Sequence, residues 1–174
     1  MDRSNTPTQT PPDADLLRLD HQVCFALYSA SLAMTKVYKP LLDELGLTYP
    51  QYLVMLALWE GDALPVSALG ERLSLDSGTL TPLLKRLEAA GLVLRTRDRQ
   101  DERRVRITLT EAGRKLQAQA TAIPACILAA SGCTVPELMA LNSRLRELRG
   151  HLAAAADTPP ASSFPPASTE APTP

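Results

Sequence analysis

The feature that most constrains this chain is a change of hydrophobic period at Gly91. Before it, Leu80, Leu83, Leu84 and Leu87 recur at helical spacing behind a polar start, Asp76-Ser77-Gly78-Thr79. After it, Leu92 to Arg97 reads as a strand, Asp98 to Arg103 as a charged turn, and Val105 to Leu109 alternates apolar with polar. Helical side chains return to one face about every 3.6 residues and strand side chains about every two. The chain therefore runs from a helix stopped by glycine into a β-hairpin. One short link upstream, Val66 to Leu73 predicts another helix with Leu69 and Leu73 on one face. Helix, link, helix and hairpin is the order of a winged helix-turn-helix, whose second helix fits a DNA major groove.

The remainder reads as mostly helical. Leu16, Leu19, Val23, Leu27, Ala30 and Met34 predict a first helix from about Asp15 to Tyr38. Pro40 is expected to open a short second helix that Gly46 ends, and a third runs from Tyr49 to Trp59. Thr110-Glu111-Ala112-Gly113 starts a helix that Pro124 bends or interrupts. A last helix, from about Val135 to Ala155, carries a stripe of Leu138, Leu141, Leu145, Leu148 and Leu152. The class is mainly α with a small β-hairpin wing. Residues 1–13, and those from Asp157 onward with six of the fifteen prolines, are expected to be disordered because they cannot bury enough apolar surface.

Charge supports an anionic partner for the central module. Between Lys85 and Arg106 stand eight bases against four acids, in a chain whose net charge is −1. A basic stripe suits phosphate, since neutralised phosphates release condensed counterions. Lys85, Arg86, Arg95, Arg103 and Arg104 are candidate DNA contacts, and Ser77, Thr79 and Thr81 present hydroxyls where base edges or phosphates would lie. A solvated arginine-rich hairpin is the alternative. Asp76, whose carboxylate would repel phosphate, reads as a helix cap.

Three cysteines at irregular spacing make neither a secreted disulfide framework nor a metal knuckle, and no metal or cofactor is expected. No apolar run or leader points to a membrane, so the cytoplasm is the expected location. Cys24 lies on the first helix with Tyr28 four residues on, hence on the same face. All four tyrosines, Tyr28, Tyr38, Tyr49 and Tyr52, follow it within three short helices. A thiol reacts as thiolate, which hydrogen-bond donors stabilise, and phenols supply donors without adding charge. A cysteine on an apolar helix face is also ordinary core filler.

The run Leu75 to Glu88, with Gly91-Leu92, Asp101-Glu102-Arg103, Val105 and Leu109 to Gly113, resembles the recognition helix and wing of the multiple-antibiotic-resistance-regulator (MarR) family. It is most similar to that family's organic-hydroperoxide-resistance branch, over roughly Leu16 to Leu152. The resemblance implies a homodimer with a winged-helix domain over 14–156. Its DNA-binding lobe would span about 48–110, and its dimerisation helices about 14–47 and 111–156. It implies that Arg103 enters the minor groove, and that Cys24 is the reactive cysteine with Tyr38 and Tyr49 bonded to it and Tyr28 close by. The implied activity is a repressor, not an enzyme: it would hold double-stranded DNA at a pseudo-palindromic operator until an organic hydroperoxide oxidises Cys24.

Two-cysteine members carry a resolving cysteine where this chain has Ala129; Cys133 matches their second position and Cys126 lies one turn before Ala129. Resolution by Cys126, by Cys133 or by an external low-molecular-weight thiol stand side by side. Other readings are a regulator released by a reversible phenolic or aromatic ligand, with Cys24 as packing, and a winged helix that docks only protein. A thiol peroxidase is a further one, against which stands the lack of a catalytic arginine setting near Cys24.

Overall fold

The leucines decide which helices close on one another. The computed structural model describes residues 17–97 and 104–157. Of the ends expected to be disordered (1–13 and 157–174), all but Asp157 lie outside the described residues, as does Arg103 in the wing turn. A 3-10 turn, Leu19–His21, precedes α1 (Val23–Asp43) and α2 (Tyr49–Glu60). A two-residue strand β1 (Leu64–Pro65) leads into α3 (Val66–Leu73) and α4 (Ser77–Ala89). The hairpin is β2 (Val93–Arg97) and β3 (Val105–Leu109), followed by α5 (Glu111–Ala120), α6 (Ile123–Ser131) and α7 (Val135–Ala156). The mainly helical class with a hairpin wing is therefore observed. Contacts divide the chain between Ala130 and Ser131, leaving α7 as a unit of its own.

The N-terminal helices correct the sequence reading in two places. The first helix starts at Val23 rather than Asp15, because Gln22 is extended at φ −86° and ψ 111°. Apolar spacing of three and four residues runs unchanged through a 3-10 turn, so the break leaves no mark on the pattern. Pro40 opens no new helix and lies inside α1. An interior proline costs about 3 kcal/mol. The Lys39–Asp43 pair that spans it, at 2.8 Å, is exposed and worth under about 1 kcal/mol. Burial of Leu42, worth about 1.5–3 kcal/mol, is the larger compensation for the turn beyond the proline.

Strand β1 is too short to show alternation in the sequence. It exists by pairing with β3, Leu64 opposite Ile107 and Pro65 opposite Arg106, which gives an antiparallel sheet of order β1-β3-β2. Pro124 interrupts the helix as expected: α5 ends at Ala120, and the proline sits in the first turn of α6.

The core gathers around α2, which buries Tyr52, Val54, Met55, Ala57 and Leu58. Its start is closed by Gln51, whose Oε1 accepts from the Thr48 N–H at 2.8 Å and the Thr48 hydroxyl at 3.0 Å. Against it lie Leu69 of α3, Leu80, Leu84 and Leu87 of α4, Val93, Ile107 and Leu109 of the sheet, and Leu116 of α5. Gly70 makes the tight helix-turn-helix link possible: a Cβ there would stand 2.9 Å from the Leu75 carbonyl oxygen. Among the described residues, no single helix is long and apolar enough to cross a membrane.

Candidate functional site

Helix α4 is sided by its sequence. Leu80, Leu83, Leu84 and Leu87 face the core, which leaves Ser77, Thr79, Lys85 and Arg86 exposed and Thr81 half-buried. Asp76 is the cap expected of it. Its Oδ1 accepts from the Thr79 N–H at 2.9 Å, and the Thr79 hydroxyl donates to Oδ2 at 2.8 Å. These bonds, with the Gly78 N–H, hold the Asp76 carboxyl below its ordinary range. The Thr79 proton is thus committed within the chain, leaving its oxygen only as an acceptor.

The wing arginines divide into two kinds. Arg95 is half-buried: its backbone N–H donates to Glu88 Oε1 at 3.2 Å and its guanidinium lies 3.6 Å from Glu88 Oε2. It ties the wing to the end of α4 instead of standing out for phosphate. Arg97, Arg104 and Arg106 are exposed, and Arg106 donates to the Ala63 carbonyl at 3.0 Å.

Beneath them the hairpin is fixed to α5. Thr110 caps α5 by accepting from the Gly113 N–H, and its hydroxyl donates to the Gly91 carbonyl at 2.7 Å. Gly113 admits the Leu92 carbonyl oxygen, which a Cβ would approach to 2.1 Å. Trp59 Nε1–H donates to the Gly113 carbonyl at 2.9 Å.

Asp62 completes this base. Its Oδ1 accepts from the Ala63 and Leu109 N–H groups, each at 2.8 Å, and its Oδ2 from Arg114 Nη1 at 2.6 Å. Arg114 Nη2 donates in turn to the Leu109 carbonyl at 3.0 Å. Partial burial pushes the Asp62 carboxyl up, and the two N–H bonds with Arg114 outweigh it, so it lies below its ordinary value. Sequence reasoning misses Asp62, Trp59 and Arg114, each of which reads there as an ordinary surface or core residue.

The thiol and the tyrosines occupy different stretches of α1. Cys24 is exposed, and Tyr28, one turn on, is 62% exposed. At the other end Tyr38 packs on Tyr49 with ring centroids 4.7 Å apart and on Tyr52 at 6.0 Å. Tyr52 is buried in the core and braces that pair, a part the sequence does not reveal. Burial, then the neighbouring Tyr49 and Tyr52, push the Tyr38 phenol up to about 12, and burial raises Tyr49. Both stay protonated near neutral pH and can donate. Fourteen residues of continuous helix set Cys24 about 21 Å from Tyr38 along the axis, at the α-helical rise. One chain thus brings Tyr38 and Tyr49 together and leaves Cys24 apart from them.

All three cysteines are free thiols. Cys126 and Ala129 are exposed on α6, while Cys133, between α6 and α7, is half-buried with its thiol donating to the Ser131 carbonyl at 3.5 Å. Among the described residues no group of three or more His, Cys, Asp or Glu side chains is placed to hold a metal ion.

Comparison with known proteins bears on the fold and the family. Residues 36–119 match the family described as transcriptional regulator SarA/Rot. The chain is 52% identical over 134 residues to the organic hydroperoxide resistance transcriptional regulator of Bacillus subtilis (strain 168), covering 77% of this chain and 91% of that one. Among solved structures, that of reduced AbfR bound to DNA is 36% identical with a TM-score of 0.69, covering 82% of this chain and 99% of its own. Disulfide-formed AbfR is 36% identical with a TM-score of 0.56, covering 83% and 97%; AbfR comes from Staphylococcus epidermidis. A helix-turn-helix closed on its own core, a hairpin wing and identity at half of the aligned positions to a known regulator converge: this chain belongs to the MarR-type winged-helix transcriptional regulators, in the branch of the organic hydroperoxide resistance regulators, and is not an enzyme.

Proposed function

We propose that the chain works as a homodimeric repressor that holds a pseudo-palindromic operator while Cys24 is reduced and releases it when an organic hydroperoxide oxidises that thiol. The observation that carries this reading is the division of α1. An exposed cysteine stands at one end of an uncovered apolar helix, and a pair of proton-donating phenols stands at the other. The two sets lie too far apart to meet within one chain. In an antiparallel pairing of two α1 helices, Cys24 of one protomer would face Tyr38 and Tyr49 of its partner, with Tyr28 beside it. Val23, Leu27, Leu32 and Met34, all exposed here, supply the apolar surface for that pairing.

The chemistry follows. The phenols donate to the Cys24 thiolate and favour it over the thiol. The thiolate sulfur attacks the terminal peroxide oxygen and the O–O bond breaks. The departing alkoxide takes a proton to leave as alcohol, and the sulfur is left as sulfenic acid. A second thiol then attacks that sulfur, forming a disulfide and releasing water. Cys126, Cys133 and a small external thiol are the candidates, and AbfR, solved both reduced on DNA and in a disulfide form, supports the disulfide route. Either product breaks the tyrosine contacts and shifts the helices that carry the DNA-binding lobes. A coupling of about 3 kcal/mol would lower operator affinity more than a hundredfold.

On the DNA side, exposed Ser77, Thr79, Lys85 and Arg86 of α4 would enter the major groove, with Thr81 at its edge. Arg103 and Arg104 would reach from the wing, and Arg95 would serve mainly as the wing's brace.

The dimer reading is tested by a mixed dimer, one protomer carrying Cys24→Ser and the other Tyr38→Phe with Tyr49→Phe. If tyrosines act across the dimer, one site stays intact and Cys24 of the second protomer is trapped as sulfenic acid at about half the wild-type yield. If they act within a chain, both sites are impaired and the yield falls to about half that of the homodimeric tyrosine variant.

A second reading has one observation in its favour. A cleft of about 270 Å³ opens beside Tyr49, lined also by Thr35, Lys39, Leu42 and Thr48. A reversible phenolic or aromatic ligand held there would release DNA without oxidation, and the Cys24→Ser protein would respond to it normally.

A further inference from the structure

We infer that Asp62 and Arg114 form a clamp that positions the wing on DNA, making the hairpin and α5 one mechanical body. The inference rests on the DNA-binding reading and goes beyond it, since neither residue is among the proposed DNA contacts and neither belongs to the recognition helix or the wing hairpin.

The geometry is closed on every side. Asp62 uses one carboxylate oxygen for the Ala63 and Leu109 N–H groups and the other for Arg114. Arg114 uses its second nitrogen for the Leu109 carbonyl. The last residue of β3 is therefore held by its N–H to Asp62 and by its C=O to Arg114, which sits on the first turn of α5. Ala63 is itself at φ 58°, a left-handed position that only a well-anchored turn keeps in a residue with a Cβ. The same turn receives Arg106 of the wing at the Ala63 carbonyl.

The sheet also has an asymmetry that such a clamp offsets. Hairpin strands β2 and β3 pair over five residues, but β1, the strand joining the wing to α3, pairs with β3 over only two. Two pairs of backbone groups give little resistance to a swing of the hairpin about its base. A bidentate guanidinium between Asp62 and Leu109 supplies what the short strand lacks. At 28% exposure for Asp62 and 54% for Arg114, the ion pair alone would contribute little to global stability. Its value lies in direction: it sets where the exposed Arg97 and Arg104 point relative to α4. A shift of α5 then carries the wing with it.

The test compares operator binding by the reduced full-length protein with that of Asp62→Asn and Arg114→Gln. Asp62→Asn keeps an acceptor for the backbone amides but loses the ion pair; Arg114→Gln leaves both Asp62–amide bonds untouched. Each is expected to bind about tenfold more weakly, with a salt dependence of log affinity shallower by about one for each phosphate that the wing no longer neutralises. Arg114→Lys, able to reach only one acceptor at a time, should recover part of both. The double variant should be no worse than either single one, because both break the same device. The inference is overturned if Arg114→Gln lowers only the melting temperature while affinity and salt slope stay at wild-type values, or if the double variant is additive. Failure of the wild type to bind in low salt would instead remove the DNA-binding reading, and the clamp with it.

Discussion

Helix α4 buries Leu80, Leu83, Leu84 and Leu87 within its own chain, whereas α1, equally apolar along one side, leaves Val23, Leu27, Leu32 and Met34 exposed and buries only Leu42. Helix α7 behaves like α1, with no buried residue along its length and with Val135, Met139, Leu141 and Leu152 each more than half exposed. The difference separates what one chain completes from what it leaves to an assembly. The helix-turn-helix and its hairpin are finished by intrachain packing, while α1 is an unfinished surface with the thiol on it; under the proposed function these are the DNA-reading lobe and the sensing helix. A regulator built this way can keep its reading head intact while chemistry at the unfinished surface changes how two heads are spaced.

The strongest way to test that contrast is a paired truncation. Leu87→Ala should cost about 2–5 kcal/mol, seen as a loss of melting temperature that does not depend on protein concentration. Leu27→Glu should leave the lobe folded but weaken self-association, so that sedimentation shows monomer and the loss of melting temperature, measured against the dimeric wild type, grows with protein concentration. Equal and concentration-independent losses in both would erase the distinction.

Next in size is Gly113→Ala, whose methyl must displace the Leu92 carbonyl and so costs about 1–3 kcal/mol or more. Because this glycine joins wing to α5, operator affinity should fall with it, in contrast to substitutions on α1. Asp76→Ala removes the α4 cap and should lower the melting temperature by less than Gly113→Ala does.

The smallest effect is a pH dependence. Asp62 is held below its ordinary value in the fold, so its contribution is full above the unfolded value of about 3.9 and fades as pH falls through the lowered folded value. Acid titration of stability should show a shallower fall below about pH 4 for Asp62→Asn than for wild type. Identical slopes would mean that Asp62 carries no linked proton.

Much of this architecture is legible in the chain. The switch of period at Gly91 locates α4 and the hairpin to within a residue or two, and Thr110-Glu111-Ala112-Gly113 locates α5 because its capping is local. What escapes depends on contacts that sequence spacing does not encode. Strand β1 exists only through Ile107 and Arg106, and α1 passes through Pro40 because Leu42 finds the core beyond it. Gln22 breaks the first helix without disturbing its apolar spacing. Within the site, Cys24, Tyr38 and Tyr49 can be named from the chain, and the distance separating them cannot, since it follows from the continuity of α1. Arg95 counts as a base in the stripe, yet Glu88 claims it, and Asp62 gives no local signal because the partners that make it a clamp, Leu109 and Arg114, are 47 and 52 residues away.

The most direct measurement of a sensor centred on Cys24 is binding to promoter DNA of the chain's own gene and its neighbours, with and without cumene hydroperoxide, for wild type and Cys24→Ser. Peroxide is expected to release the wild type while the serine variant stays bound at its reduced-state affinity. Release of both proteins, or retention of both, would contradict such a sensor.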